Sequence, residues 1–129
     1  MNESSNKIMY HIKKQNWGLV NTQLDYWSNS EWIIYYNGEI KYIAHYNLSG
    51  DIEKKGTISN VDLEILAKIG NDNKNNPPEQ DINGADGTVY SITYYDENWI
   101  KYELAKPTYR SKYDEVIKIV QKYYEVEYR

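Results

Sequence analysis

An α+β domain built on an antiparallel sheet is the fold class predicted from this sequence, on three observations. Two segments share nearly the same grammar, "IIYYNGEIKY" at 33–42 and "ITYYDENWIKY" at 92–102, each with apolar residues alternating on both sides of a polar turn. Period-2 alternation around such a turn is the signature of a β-hairpin. Each hairpin is followed by a stretch with helical spacing of apolar residues, and a strand-like stretch precedes both. Two hairpin-helix (ββα) units plus one or more N-terminal strands then form an antiparallel sheet with both helices packed on one face. The shared wording of the halves fits either an old duplication or convergence on good hairpin residues.

In chain order, residues 1–7 are polar and predicted to fray. Residues 8–27 carry Ile8, Tyr10, Ile12, Trp17, Leu19, Leu24 and Trp27 in a partly alternating, strand-like pattern. "EWIIYY" and "EIKYIAHYNL" flank Asn37-Gly38, a pair that tolerates positive φ. Ile40, Tyr42, Ala44, Tyr46 and Leu48 form the apolar side of the second strand, opposite Lys41, Ile43, His45 and Asn47. A turn at Ser49-Gly50 leads into a short strand or edge around Ile52 to Ile58.

Ser59 is a good N-cap, Val61, Ile65 and Ile69 recur every four residues with Leu66 beside them, and Gly70 stands where a C-cap belongs, so a helix of about three turns is predicted. Residues 71–87, "NDNKNNPPEQDINGADG", offer Ile82 and Ala85 as their only apolar side chains and read as a long mobile loop. In the second hairpin Tyr90, Ile92 and Tyr94 alternate with polar or smaller residues, Asp96-Glu97-Asn98 turns the chain, and Ile100, Tyr102 and Leu104 alternate with Trp99, Lys101 and Glu103. Pro107 ends the strand, Ser111 is placed to cap, and Tyr113, Val116, Ile117, Val120 and Tyr124 form the stripe of a second helix. With 129 residues and one such set of elements, residues 1–129 read as a single domain.

Composition narrows the function classes. There is no cysteine, so neither a disulfide framework nor a thiolate metal site nor a cysteine nucleophile is available. No apolar run resembles a signal peptide or a membrane span, and a cytoplasmic location is the expectation. The net charge is −4, with lysines scattered along the chain, which argues against nucleic acid as a partner. Fifteen Tyr and four Trp stand beside no Phe at all, a bias that AT-rich coding accounts for in part.

Catalytic and metal signals are sparse. The two histidines, His11 and His45, lie on different segments and read as structural residues, and no His-Glu-x-x-His spacing occurs. The acid pairs Asp51/Glu53, Asp62/Glu64, Asp96/Glu97 and Asp114/Glu115 fall in or near turns or in first helical turns, where carboxylates suit the helix dipole. "DINGADG" supplies oxygen donors, but its glycines and Ile92 miss the register of a calcium-binding EF-hand. No glycine-rich phosphate loop is present. The expectation is no catalytic set, no metal and no cofactor.

What remains is a surface. If the helices cover Trp32, Ile34 and Tyr36, the opposite sheet face carries Ile33, Tyr35, Lys41, Ile43 and His45 from the first hairpin. From the second it carries Val89, Ser91, Thr93, Tyr95, Trp99, Lys101 and Glu103. Half-polar, aromatic faces suit recognition, because aromatic rings bury much area for little lost entropy. The same residues also serve to stabilise a sheet by cross-strand pairing. Tyr35, Tyr95, Trp99 and Lys101 are the candidate binding residues. The function expected is a non-catalytic protein-binding module of the kind that blocks another protein, as bacterial immunity or phage anti-defence proteins do, an analogy of class without a motif. A small-ligand or carbohydrate site on Trp/Tyr platforms is the alternative, and a carboxylate-based hydrolase a third.

Overall fold

The computed structural model describes residues 7–16, 23–80, 87–108 and 112–125. Six strands and two helices follow in the order β1 (Ile8–Asn16), β2 (Trp27–Tyr35), β3 (Glu39–Tyr46), β4 (Gly50–Thr57), α1 (Asn60–Asn73), β5 (Thr88–Tyr95), β6 (Lys101–Thr108) and α2 (Asp114–Tyr123). All strands pair antiparallel in one sheet of order β4-β3-β2-β1-β5-β6. The α+β class is as predicted. The finer unit differs: α1 follows three strands, β2, β3 and β4, and only α2 follows a bare hairpin. The two look-alike hairpins stand on either side of β1, which pairs Ile12 with Trp32 of β2 and with Ile92 of β5.

One face of the sheet forms the core with both helices. Tyr10, Ile12, Trp32, Ile34, Ile40, Tyr42, Ala44, Ile92, Tyr94 and Leu104 from the strands cluster there with Leu66 of α1 and Val116, Ile117 and Val120 of α2. Polar tips tie the layers together: Tyr10 donates its hydroxyl to the Leu66 carbonyl at 2.7 Å, and the Trp32 indole donates to the Tyr124 carbonyl at 3.0 Å. Tyr42 stacks on Tyr124 with ring centroids 5.8 Å apart.

Helix α1 starts as predicted, with the Ser59 hydroxyl accepting from the Asp62 N–H at 3.1 Å. Its buried stripe is Asp62, Leu66 and Gly70, one position on from the Val61–Ile65–Ile69 series, and Val61 is exposed. The shift has a cause in charge pairing. The Asp62 carboxylate takes the Lys122 ammonium at 2.7 Å and the Tyr123 hydroxyl at 2.6 Å, so it is buried as a bond between the helices. Lys122 and then Tyr123 hold its carboxyl below the usual range.

Gly70 is not the C-cap; α1 runs on to Asn73 and is capped at Lys74. A Cβ on Gly70 would run into the Tyr94 ring and the Tyr10 hydroxyl, so the glycine is there for close approach of helix to sheet.

Four further expectations are corrected. Leu48 is exposed, because β3 ends at Tyr46 and Asp25 Oδ1 accepts from the Leu48 and Ser49 amides in the turn. Ile100 is exposed because β6 begins only at Lys101. Pro107 lies inside β6, an edge strand where a missing N–H is tolerated. Val89, expected on an open face, is fully buried.

Of the expected loop at 71–87, the first three residues extend α1. Glu79 then bridges β6: its N–H donates to the Leu104 carbonyl and its own carbonyl accepts from the Lys106 N–H, each at 2.9 Å. The "DINGADG" residues 81–86, the tail at 1–6, Trp17, Leu19 and Ser111 lie outside the described residues.

Two substitutions test this packing. Gly70→Leu overfills the contact with Tyr94 and Tyr10 and is expected to cost roughly 3 kcal/mol in denaturant unfolding, whereas Val61→Ala is expected to be near neutral. Val120→Asp, an unpaired charge among core residues, is expected to cost several kcal/mol and to abolish cooperative melting. A well-folded Val120→Asp chain would contradict the burial of α2.

Candidate functional site

Past the register shifts that leave Met9 and Trp27 in the core, the sheet face away from the helices carries the odd-numbered residues of β1 to β4, and the antiparallel register sets them in rows. One row runs His11, Ile33, Lys41, Lys55; the next Lys13, Glu31, Ile43, Glu53; a third Gln15, Asn29, His45, Asp51. Side chains alternate along each strand, so neighbours in adjacent rows of neighbouring strands come within reach of one another.

Both histidines of the chain meet on this face. His11 Nε2 lies 2.8 Å from Glu31 Oε1, His45 Nε2 lies 2.8 Å from Glu31 Oε2, and His45 Nδ1 lies 2.6 Å from Asp51 Oδ1. Four side chains from four adjacent strands thus form one line, Asp51–His45–Glu31–His11. Glu31 is the carboxylate the sequence reading passed over. Alternation places each of these residues on one face; only the inter-strand register makes them neighbours.

The electrostatics follow from the bonding. Partial burial opposes charge on Glu31, but the bonds from His45 and then His11 outweigh it and hold its carboxyl below the ordinary value of 4.5. At His45 burial likewise opposes the charge, and the bonds to Glu31 and Asp51 outweigh it, raising the imidazole above its ordinary 6.5. The four groups lie in line instead of converging on a point, and among the described residues no set of three His, Cys, Asp or Glu is placed to hold a metal.

The four residues singled out from sequence occupy one end of the sheet. Tyr35 closes β2 opposite Ile8, and Tyr95 closes β5 opposite Lys101 of β6; both tyrosines are half-buried. Trp99 sits in the β5–β6 turn and is 60% exposed.

The two hairpin turns are built alike. The Gly38 N–H donates to the Tyr35 carbonyl at 2.9 Å, and the Trp99 N–H to the Asp96 carbonyl at 2.9 Å. The residue after the turn has positive φ in each, 92° at Gly38 and 65° at Trp99. Glycine adopts that conformation freely. A tryptophan adopts it at a cost.

Two other places carry polar groups. Lys14 is buried on the helix side, its ammonium 5.6 Å from the Trp27 ring and 5.8 Å from the Tyr90 ring, with Glu125 Oε1 at 3.4 Å. A cleft of about 510 Å³ opens between α1 and the β5–β6 turn, with Tyr36, Asn71, Asp72, Lys74, Asp96 and Asn98 in its wall. Its charges are largely committed within the protein. Asp96 accepts from the Asn98 and Ile100 amides and the Tyr102 hydroxyl, and Lys68 pairs with Asp72 at 2.9 Å.

Trp27 and Trp32 are buried on the helix side and Trp99 is exposed in its turn, so these three tryptophans do not gather in one concave site.

Comparison with protein-family models, with curated proteins and with solved structures finds no match to this chain. Among the described residues no helix is long and apolar enough to cross a membrane.

The line of bonds makes a two-sided pH dependence. His45 is raised, so its contribution to stability is complete below about pH 6.5 and is lost as the pH climbs through its folded-state value. Glu31 is lowered, so its contribution is complete above about pH 4.5 and is lost as the pH falls through its folded-state value. Thermal melting of the wild-type chain and Glu31→Gln is therefore expected to differ most between about pH 4.5 and 6.5, by on the order of 1 kcal/mol. The gap should shrink on both sides; a difference independent of pH would show that the bonds contribute nothing as charges.

Proposed function

We propose that the chain is a non-catalytic protein-binding module of the immunity or anti-defence type, acting through the turn end of the helix-free sheet face with Tyr35, Tyr95, Trp99 and Lys101. One observation carries the reading. Trp99 holds a left-handed backbone conformation that the matching turn gives to glycine, and its indole is mostly in solvent. Fold stability favours glycine there, and burial does not compensate the tryptophan. A bulky aromatic kept at a strained, exposed turn is what a contact residue looks like.

The surroundings support the same reading. Lys101 is exposed beside Tyr95, and Lys7 ties the start of β1 to this end through its ammonium and the Glu97 carbonyl at 3.1 Å. Tyr36 donates its hydroxyl to the Tyr95 carbonyl at 2.6 Å, which fixes the backbone from which Tyr95 projects. Rigid aromatic residues of this kind lose little entropy on binding. The partner expected is a protein surface with an apolar pocket for the indole, bordered by acceptors for Lys101.

The cleft beside Tyr36 favours a second reading, a small polar or carbohydrate ligand held against that ring by Asn71 and Asn98. Shifts of the Asn71 and Asn98 side-chain amide resonances on adding millimolar mono- and disaccharides would favour it over the protein-binding reading.

Stability and affinity separate the main reading from a structural one. Trp99→Gly is expected to raise stability by up to about 1 kcal/mol by relieving the left-handed conformation, and Tyr95→Ala to leave the melting temperature nearly unchanged. Against a partner isolated from the native host, Trp99→Ala and Tyr95→Ala are each expected to weaken binding by about 2 kcal/mol. A Trp99→Gly chain that melts several degrees lower would place the indole in the structure of the turn and remove the reading.

A further inference from the structure

The bonding of His45 has a consequence for the edge of the sheet. Both ring nitrogens contact carboxylate oxygens, Nδ1 at 2.6 Å from Asp51 and Nε2 at 2.8 Å from Glu31. A carboxylate only accepts, so each contact needs a proton on the nitrogen, and only the imidazolium carries both. We propose that the His45 imidazolium is a proton-held clasp that fastens edge strand β4 to the sheet, and that its deprotonation frees β4 and remodels that half of the helix-free face. The clasp rests on that face being the working surface, as proposed above, and supplies its regulation.

The geometry decides which bond breaks. A neutral imidazole donates once, so one of the two carboxylates would face a nitrogen lone pair. Glu31 is held from its other side by His11, and its side chain is 22% exposed; Asp51 stands on the edge strand with its side chain 62% exposed. Asp51 is the group that swings away.

The charges facing His45 agree. From β2 and β4 come three carboxylates, Glu31, Asp51 and Glu53; from β1, β3 and β4 come Lys13, Lys41 and Lys55, with His11 beyond Glu31. Glu53 is engaged by Lys41 at 3.4 Å and Lys55 at 3.9 Å, which leaves His45 as the cation placed between Asp51 and Glu31. Without its charge the two carboxylates repel across β3.

Strand β4 is also the one element, among the described residues, without a fully buried side chain. It is exposed along most of its length, with Gly50, Ile52 and Gly56 half-buried and no residue fully buried. The opposite edge, β6, is bridged by Glu79. Edge strands with few buried contacts open most readily, so one charge-assisted bond weighs more there than in the centre of the sheet.

The test uses the intact chain and no partner. Nitrogen-15 spectra of the imidazoles are expected to show His45 protonated at both nitrogens at pH 6 and titrating above 6.5. Amide hydrogen exchange, normalised to intrinsic rates, is expected to show protection of the Gly50–Thr57 amides bonded to β3 falling roughly tenfold between pH 6 and pH 9. The β1 and β5 amides should hold.

In His45→Gln and in Asp51→Ala, β4 protection should already be low and flat with pH. A His45 that titrates at or below 6.5, or β4 protection that stays level with that of β1 up to pH 9, overturns the clasp. Either result leaves the Trp99 and Tyr95 variants to decide the binding surface separately, and a structural Trp99 would leave the exchange result standing.

Discussion

The structure depends on β1 being paired on both edges. Its residues Tyr10 to Gln15 form ladders with β2 on one side and β5 on the other, and through them the two hairpins become a single sheet. Neither hairpin would be stable alone in water; three or more strands with an apolar face are needed. Tyr10 and Ile12, both fully buried at the middle of this strand, are also the floor on which the helices sit. The strand with the weakest sequence signal therefore carries the greatest share of non-local contact.

A core rich in tyrosine and free of phenylalanine has to satisfy a hydroxyl for each ring it buries, since an unpaired buried hydroxyl is costly. Here many of those hydroxyls are cross-links. Tyr10 reaches a carbonyl of α1, Tyr42 meets Ser30 at 2.9 Å, Tyr36 bonds the backbone of β5 and Tyr123 bonds Asp62 of the other helix. Phenylalanine would supply the same area without those bonds, so the tyrosines are structural in this fold.

The helix-free face shows the opposite balance. Its centre is held by a line of histidine–carboxylate contacts, and its turn end displays aromatic and cationic groups. Trp99 is the residue where local preference and the fold disagree, and the disagreement is legible only by comparing the two turns, because "DENW" by itself does not reveal which residue takes positive φ. Such conflicts between a local rule and the global fold concentrate at working surfaces.

Alternation and turn residues in the sequence were enough to determine the α+β class, both hairpins, the Ser59 cap, the buried Val116, Ile117 and Val120 of α2 and the facing of most mid-strand residues, because these depend on periods of two and 3.6 residues within one segment; at strand ends the facing of Leu48, Val89 and Ile100 was not legible. The phase of α1 was not determined there: Val61 and Asp62 exchange the places hydrophobicity assigns them, since the partners of Asp62 lie some sixty residues away on α2. Only the tertiary structure decided that His11, Glu31, His45 and Asp51 form one line. Each is an ordinary polar residue on its own strand, and what joins them is the register between strands, a long-range pairing set by burial of the whole opposite face.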